Sequence, residues 1–182
     1  MHESKQKNNN SLGFITVRRH PAIGFVGGYL IVNELARPLE FHCTLPVQPS
    51  RAQQILYGTT LNEFVCGEQI AKVLVHKAKC TPSFLLADSV SVLTLRHVCP
   101  IPLAALESPS SNSSLPFPDC TRTGLFRFQA AGQTWVTLAE FQEDSGFFQD
   151  TFGHSDSLHD VLEPFGRIEE ALQEAHPASK AA

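Results

Sequence analysis

The chain has 182 residues, of which 42% are hydrophobic and 18% charged, with a net charge of −4 at pH 7. That is enough apolar material for one packed domain, and it excludes global disorder as well as collagen-like or coiled-coil composition. No apolar run approaches the roughly 18 residues of a membrane helix, and the net negative charge does not indicate a generally basic nucleic-acid binder.

The opening residues MHESKQKNNNS lack an apolar core of the kind a secretory segment needs, so 1–11 is expected to be a disordered polar tail. Residues 12–19 (LGFITVRR) predict a first strand, interrupted by Pro21. Residues 24–32 (GFVGGYLIV) are apolar at both parities, which predicts a central strand buried on both faces. Gly27 and Gly28 lie in its middle, where glycine marks a bulge or a close backbone approach. Residues 39–45 alternate, with Leu39, Phe41, Cys43 and Leu45 on one face and Glu40, His42 and Thr44 on the other, and complete a hairpin.

Pro46 and Pro49 end that strand, and Ser50 is placed to cap a short helix, RAQQILYG, closed by Gly58. A longer helix is expected from about Thr60 to Lys79, with Leu61, Phe64, Val65, Ala71, Val75 and Ala78 as its apolar stripe. Residues 83–87 (SFLLA) predict a short buried strand, and the β-branched content of 90–96 (VSVLTLR) predicts another. The run ESPSSNSSLPFP at 107–118 reads as a loop or linker. Strands at 125–130 and 133–140, joined around Ala131-Gly132, make a second hairpin. Residues 141–156 are acidic and aromatic without period, and Phe147, Phe148 and Phe152 there either tuck into the core or anchor a partner. A final helix runs to about His176, with Pro164 as its first residue and Pro177 after its end.

Charge is uneven. Residues 1–80 carry nine Lys/Arg against five acids, and residues 81–182 carry five against thirteen. Such asymmetry marks either an anionic partner for the basic half or mutual attraction of the halves. Five cysteines, an odd number with no CxxC, point to reduced thiols and a cytoplasmic setting. The neighbourhoods His42-Cys43, His76 with Cys80, and His97 with Cys99 match no zinc spacing. Gly27-Gly28 is no phosphate loop, because no GxGxxG or GxxxxGK[ST] surrounds it.

Two acids stand out. Glu68 falls on the apolar stripe of the long helix, and Asp88 follows a buried strand, a common position for chemistry in α/β folds. The ordinary readings are a Glu68–Lys72 pair on the helix and an Asp88-Ser89 turn between two strands. Three strands (12–19, 24–33 and 39–45), a helix with Glu68 in GEQIAKVL, then Asp88 in LLADSVSV give an element order that resembles the ribonuclease H-like superfamily over the first half of the chain. That resemblance implies carboxylates holding a divalent ion for phosphoryl transfer. The chain departs from it in having no Asp before Asp88, so that Glu34 or Glu40 would have to substitute, and in the strand-like VSVLTLR where the family places a helix.

The whole predicts an α+β fold: a mixed, mostly antiparallel sheet with one long covering helix, plus a C-terminal β-hairpin and helix, with a ribonuclease H-like variant as the fold the resemblance implies. The expected divisions are a tail at 1–11, a core at 12–106, a loop at 107–118, a hairpin and helix at 119–176 packed on the core, and a tail at 177–182. With no catalytic motif complete, the expected function is a non-catalytic binding or protein-interaction module, with a protein partner or self-association as a homodimer. One alternative is a divalent-metal-dependent enzyme acting on nucleic acid or a phosphoester, with Glu40, Glu68 and Asp88 as ligands. Another is a small-molecule-binding regulatory domain with a pocket beside Gly27, Gly28 and Glu68, and Arg51 and Tyr57 are further candidate ligand-binding residues. No cofactor is evident, and a divalent metal enters only with the enzyme. No membrane is expected, and nucleic acid is not indicated as a partner except for the basic N-terminal half.

Overall fold

The computed structural model describes residues 6–7, 11–107, 124–153 and 160–177. The expected tail at 1–11, the loop at 107–118 and the tail at 177–182 fall largely outside them. The first strand pair is short: β1 (Gln6–Lys7) lies parallel to β5 (Cys80–Thr81). The remaining seven strands form one sheet in the order β4-β3-β2-β6-β7-β9-β8. They are β2 (Leu12–His20), β3 (Gly24–Val32), β4 (Pro38–Cys43), β6 (Phe84–Ala87), β7 (Leu103–Leu106), β8 (Leu125–Ala130) and β9 (Gln133–Leu138). Four neighbouring pairs are antiparallel, and only β2–β6 and β6–β7 are parallel. The first three strands meander, and the next two run parallel on the far side of the first. This arrangement is compatible with a ribonuclease H-like variant.

The doubly apolar pattern of β3 has its expected cause, because helices cover both faces of the sheet. On one face Ile15, Val17, Tyr29, Ile31, Leu85, Ala87 and Val136 meet a helical run over 61–77, here called α2, and a 3-10 helix at Val90–His97. On the other face Phe14, Val26, Leu30, Phe84, Leu86 and Trp135 meet α3 (Asp144–Gly153) and α4 (Glu163–Ala175). α3 inserts Phe148, fully buried, whose ring lies 4.9 Å from Trp135 and 5.3 Å from Phe84. Phe147 stays exposed, so one of the three loop aromatics points outward. Gly27 and Gly28 face opposite sides. A Cβ on Gly27 would run into Ile70 of α2, and one on Gly28 into Ile168 of α4, with Leu172 Cγ 3.3 Å away. Their lack of side chains lets helices on both faces sit close to the strand.

Several local expectations need correction. The segment 90–96 is not a strand. Ser89, with its hydroxyl accepting from the Ser91 N–H, caps a 3-10 helix, and the short helix agrees with the resemblance better than a strand would. Asp88-Ser89 is therefore a strand-to-helix junction rather than a turn between strands. The segment 103–106, not read as a strand, is β7. Residues 141–156, read as irregular, contain α3. Pro164 is the second residue of α4, not the first. The middle of α2, Phe64–Ala71, is π-helical. That wider turn breaks the 100° phase from which an inward Glu68 was read, and Glu68 is exposed. Gly67 explains part of the distortion: a Cβ there would collide with Thr94, whose hydroxyl donates to the Glu63 carbonyl at 3.0 Å. The short helix α1 (Arg51–Tyr57) starts as expected, with Ser50 and Gln53 closing a reciprocal capping box.

Candidate functional site

Ladder parity decides which side chains meet. β2 and β6 pair in parallel with Phe14 opposite Leu86 and Ile15 opposite Ala87. Continuing the ladder sets Thr16 beside Asp88, on the face that α4 covers. Thr16 donates its hydroxyl to Asp88 Oδ2 at 3.0 Å. Two residues on, Arg18 shares that face, and its Nη2 lies 2.7 Å from the same Oδ2. Glu169 of α4 closes the group, with Oε2 3.5 Å from Arg18 Nη2. The four residues gather at the C-terminal ends of two parallel strands, where open α/β sheets present their ligand crevice.

The electrostatics are unequal across the group. The Asp88 side chain is only 8% exposed, against 39% for Arg18 and 46% for Glu169. Burial pushes the Asp88 carboxyl above its ordinary value, against the opposing pull of Arg18 and of the Thr16 hydroxyl. Its second oxygen, Oδ1, is buried and has no hydrogen-bond partner among the described residues. A buried oxygen in this state calls for a partner, be it a water, an ion or a ligand. Arg18 is anchored by a second bond, Nη1 to the Val17 carbonyl at 3.2 Å. Arg19 and His20 follow on the same strand end, and Arg19 lies over the Phe25 ring at 5.7 Å. By strand alternation His20 shares the face of Arg18, whereas Arg19, on Phe25, turns to the opposite face.

The other residues singled out from sequence lie elsewhere. Glu40 sits on β4, three strand steps from β6, or roughly 14 Å at ordinary strand spacing. It accepts the backbone N–H groups of Lys79 and Cys80 and pairs with His42 at 2.6 Å. Burial opposes its charge, but these bonds outweigh it and hold its pKa down at about 2. Glu68 is on α2, which covers the opposite face from Asp88. Gly27 and Gly28 lie beneath helices, while Arg51 and Tyr57 are on α1, where Tyr57 stacks on Phe64 at 3.9 Å. Glu40, Glu68 and Asp88 are not brought together.

A divalent ion of the kind the resemblance implies can be tested against these donors. Asp88 offers Oδ1, but its other oxygen is already held by a guanidinium. The strand that should carry a second carboxylate presents Thr16. Among the described residues no group of three His, Cys, Asp or Glu could hold a metal ion, the His/Cys neighbourhoods included. The donor set does not fit such an ion. Thr16, Arg18 and Glu169 were missed from sequence. The available signal was parity: Thr16 and Arg18 are polar at the same parity as Phe14, where the strand's first residues are apolar.

No family model and no curated protein matches the chain. Solved structures do resemble it. Endonuclease V of Ciona intestinalis, in complex with a 23-mer DNA containing an inosine followed by a ribo-adenosine, shares 9% identity at a TM-score of 0.49, over 93% of this chain and 88% of that one. The human endonuclease V shares 9% identity at a TM-score of 0.47, over 92% and 86%. The catalytic domain of the human endonuclease V gives 9% and 0.45, over 92% and 84%. At such identity the likeness says nothing of which residues act. These neighbours are endonucleases, one of them in complex with DNA, and the expectation of a non-catalytic interaction module finds no support among them. Among the described residues no helix is long and apolar enough to cross a membrane.

Proposed function

We propose that this protein acts on nucleic acid, with a phosphodiester engaged at the crevice formed by the C-terminal ends of β2 and β6. The observation that carries this reading is Asp88. It is a buried carboxylate at a strand end, with one oxygen held by Thr16 and Arg18 and the other without a partner among the described residues. The roles follow from the chemistry of each group. Arg18 suits a phosphate oxygen, because a guanidinium presents a planar fork of donors. Its contact with the exposed Glu169 is the weak one, at 3.5 Å, and a phosphate can replace it. His20, at the same parity as Arg18, lies further along that end of β2. Asp88, with its carboxyl raised by burial, is suited to accept or return a proton at the phosphoester. A cytoplasmic setting belongs to the same reading.

The test uses labelled single- and double-stranded DNA and RNA oligonucleotides, followed by anisotropy and by denaturing gels. Binding should weaken steeply with salt, and Arg18→Ala should reduce the salt slope by about 0.7–0.9 for one lost phosphate contact. Any strand cleavage should disappear in Asp88→Asn while binding persists. Absence of binding at low salt for all four substrates would overturn the proposal, as would cleavage that Asp88→Asn leaves intact.

A further inference from the structure

We infer that Arg18 is the resident cation of this site, standing where carboxylates of a ribonuclease H-like sheet would otherwise hold a divalent ion. The argument is geometric. A divalent ion among oxygens needs several anionic or carbonyl ligands, and magnesium prefers near-octahedral order. The positive charge nearest Asp88 is instead the Arg18 guanidinium, at 2.7 Å from Oδ2, with Glu169 on its other side at 3.5 Å. Thr16, a neutral hydroxyl, donates to the same Asp88 oxygen, which a metal-ligating oxygen would not need. The guanidinium is fixed to its own strand through the Val17 carbonyl, so the charge is placed by β2 itself. Arginine cannot lose its proton at accessible pH, and the charge is therefore permanent. One cation between two carboxylates leaves the group net negative, and Asp88 Oδ1, unpartnered among the described residues, lies beside it. Removing Arg18 leaves Asp88, Glu169 and the Thr16 hydroxyl on one face, the start of a divalent-ion site.

The inference concerns the same residues as the proposed function, yet its test involves no nucleic acid, so failure of either leaves the other standing. Purified wild type, Arg18→Ala, Arg18→Lys and Arg18→Ala/Asp88→Asn are melted with EDTA, magnesium or manganese, and titrated calorimetrically with manganese. Wild type and Arg18→Lys should melt at the same temperature in every condition. Arg18→Ala should gain a manganese-dependent rise of about 5 °C near saturation, and the double variant should lose that gain. Should Arg18→Ala fail to fold, Arg18→Gln takes its place, because its amide keeps a donor toward Asp88. A manganese-dependent rise in wild type that Asp88→Asn removes would overturn the inference. So would the absence of any gain in a folded Arg18→Ala or Arg18→Gln protein.

Discussion

Among the described residues two Arg–Asp pairs lie inside the fold, and their surroundings differ. Asp144, at the start of α3, is 1% exposed and has both oxygens engaged: Oδ2 takes Arg96 Nε at 2.8 Å and the Leu103 N–H at 3.0 Å, and Oδ1 takes Arg96 Nη2 at 3.3 Å. Arg96 is itself satisfied, through the Cys99 carbonyl at 3.2 Å and the Phe141 ring, 4.3 Å away. Asp88 is nearly as deep, but among the described residues its side-chain partners converge on one oxygen, and its arginine reaches the surface. A pair whose every lone pair is matched is a strut, which here ties the 3-10 helix, β7 and α3 together. A pair left half-matched at the open end of a sheet is available to something else. Charge and burial alone would rank the two alike, and only the accounting of hydrogen bonds separates them.

The comparison can be broken by mutation. Asp144→Ala strands Arg96 in a mostly buried setting and should cost about 3–5 kcal/mol in urea unfolding. A loss below about 1 kcal/mol would remove its standing as a strut. Asp88→Asn should behave oppositely. It relieves a carboxylate that resists ionisation, and Arg18 can turn to solvent, so stability at pH 7 should stay within about 1 kcal/mol of wild type, on the stabilising side. A loss as large as that of Asp144→Ala would make the two pairs equivalent. Glu169→Gln touches only an exposed contact and should change stability by less than about 0.5 kcal/mol. Its readout is instead the melting response to oligonucleotide, which should strengthen as the competing carboxylate is lost.

Acid titration sharpens the same contrast. The folded-state pKa of Asp88 is raised, so the folded protein holds that proton to higher pH than the unfolded chain. Its contribution is full below the ordinary carboxylate value and is lost as pH rises through the raised one. Wild type should therefore lose stability relative to Asp88→Asn as pH climbs above about 4. Glu40 has the opposite sign. Its pKa of about 2 makes its contribution full above its ordinary value of 4.5 and lost as pH falls toward 2. Wild type should lose its advantage over Glu40→Gln across that acid window. Parallel trends in the two differences, rather than opposed ones, would contradict the contrast.

Much of the fold was legible because it rests on local signals. The apolar parity of β3, the capping box at Ser50 and the glycine pair all act within a few residues. What escaped depends on distant contacts. VSVLTLR has the β-branched content of a strand, yet Val92, Leu93 and Leu95 are buried in a 3-10 helix against α2. The π segment that turns Glu68 outward involves Thr94, thirty-one positions from Glu63. Asp88 was legible as an acid at a strand end. Its partner Arg18 lies seventy positions earlier, and no spacing rule connects them. On β4, alternation was read correctly, but Glu40 and His42 turn inward while Leu39 and Phe41 are exposed, because the backbone at Lys79–Cys80 supplies a polar partner.

The glycine pair has a mechanical consequence for the site. Gly28 is the ladder partner of Thr16, and it seats Ile168 and Leu172 of α4 against the strand. Glu169 is the next residue after Ile168, so the height at which that helix rides over the sheet sets how near its carboxylate comes to Arg18. Two adjacent peptide units thus act as a spacer gauge. A single methyl group on Gly28 would lift the helix like a shim under one end of a beam and draw Glu169 off the guanidinium, altering the site without changing any residue in it.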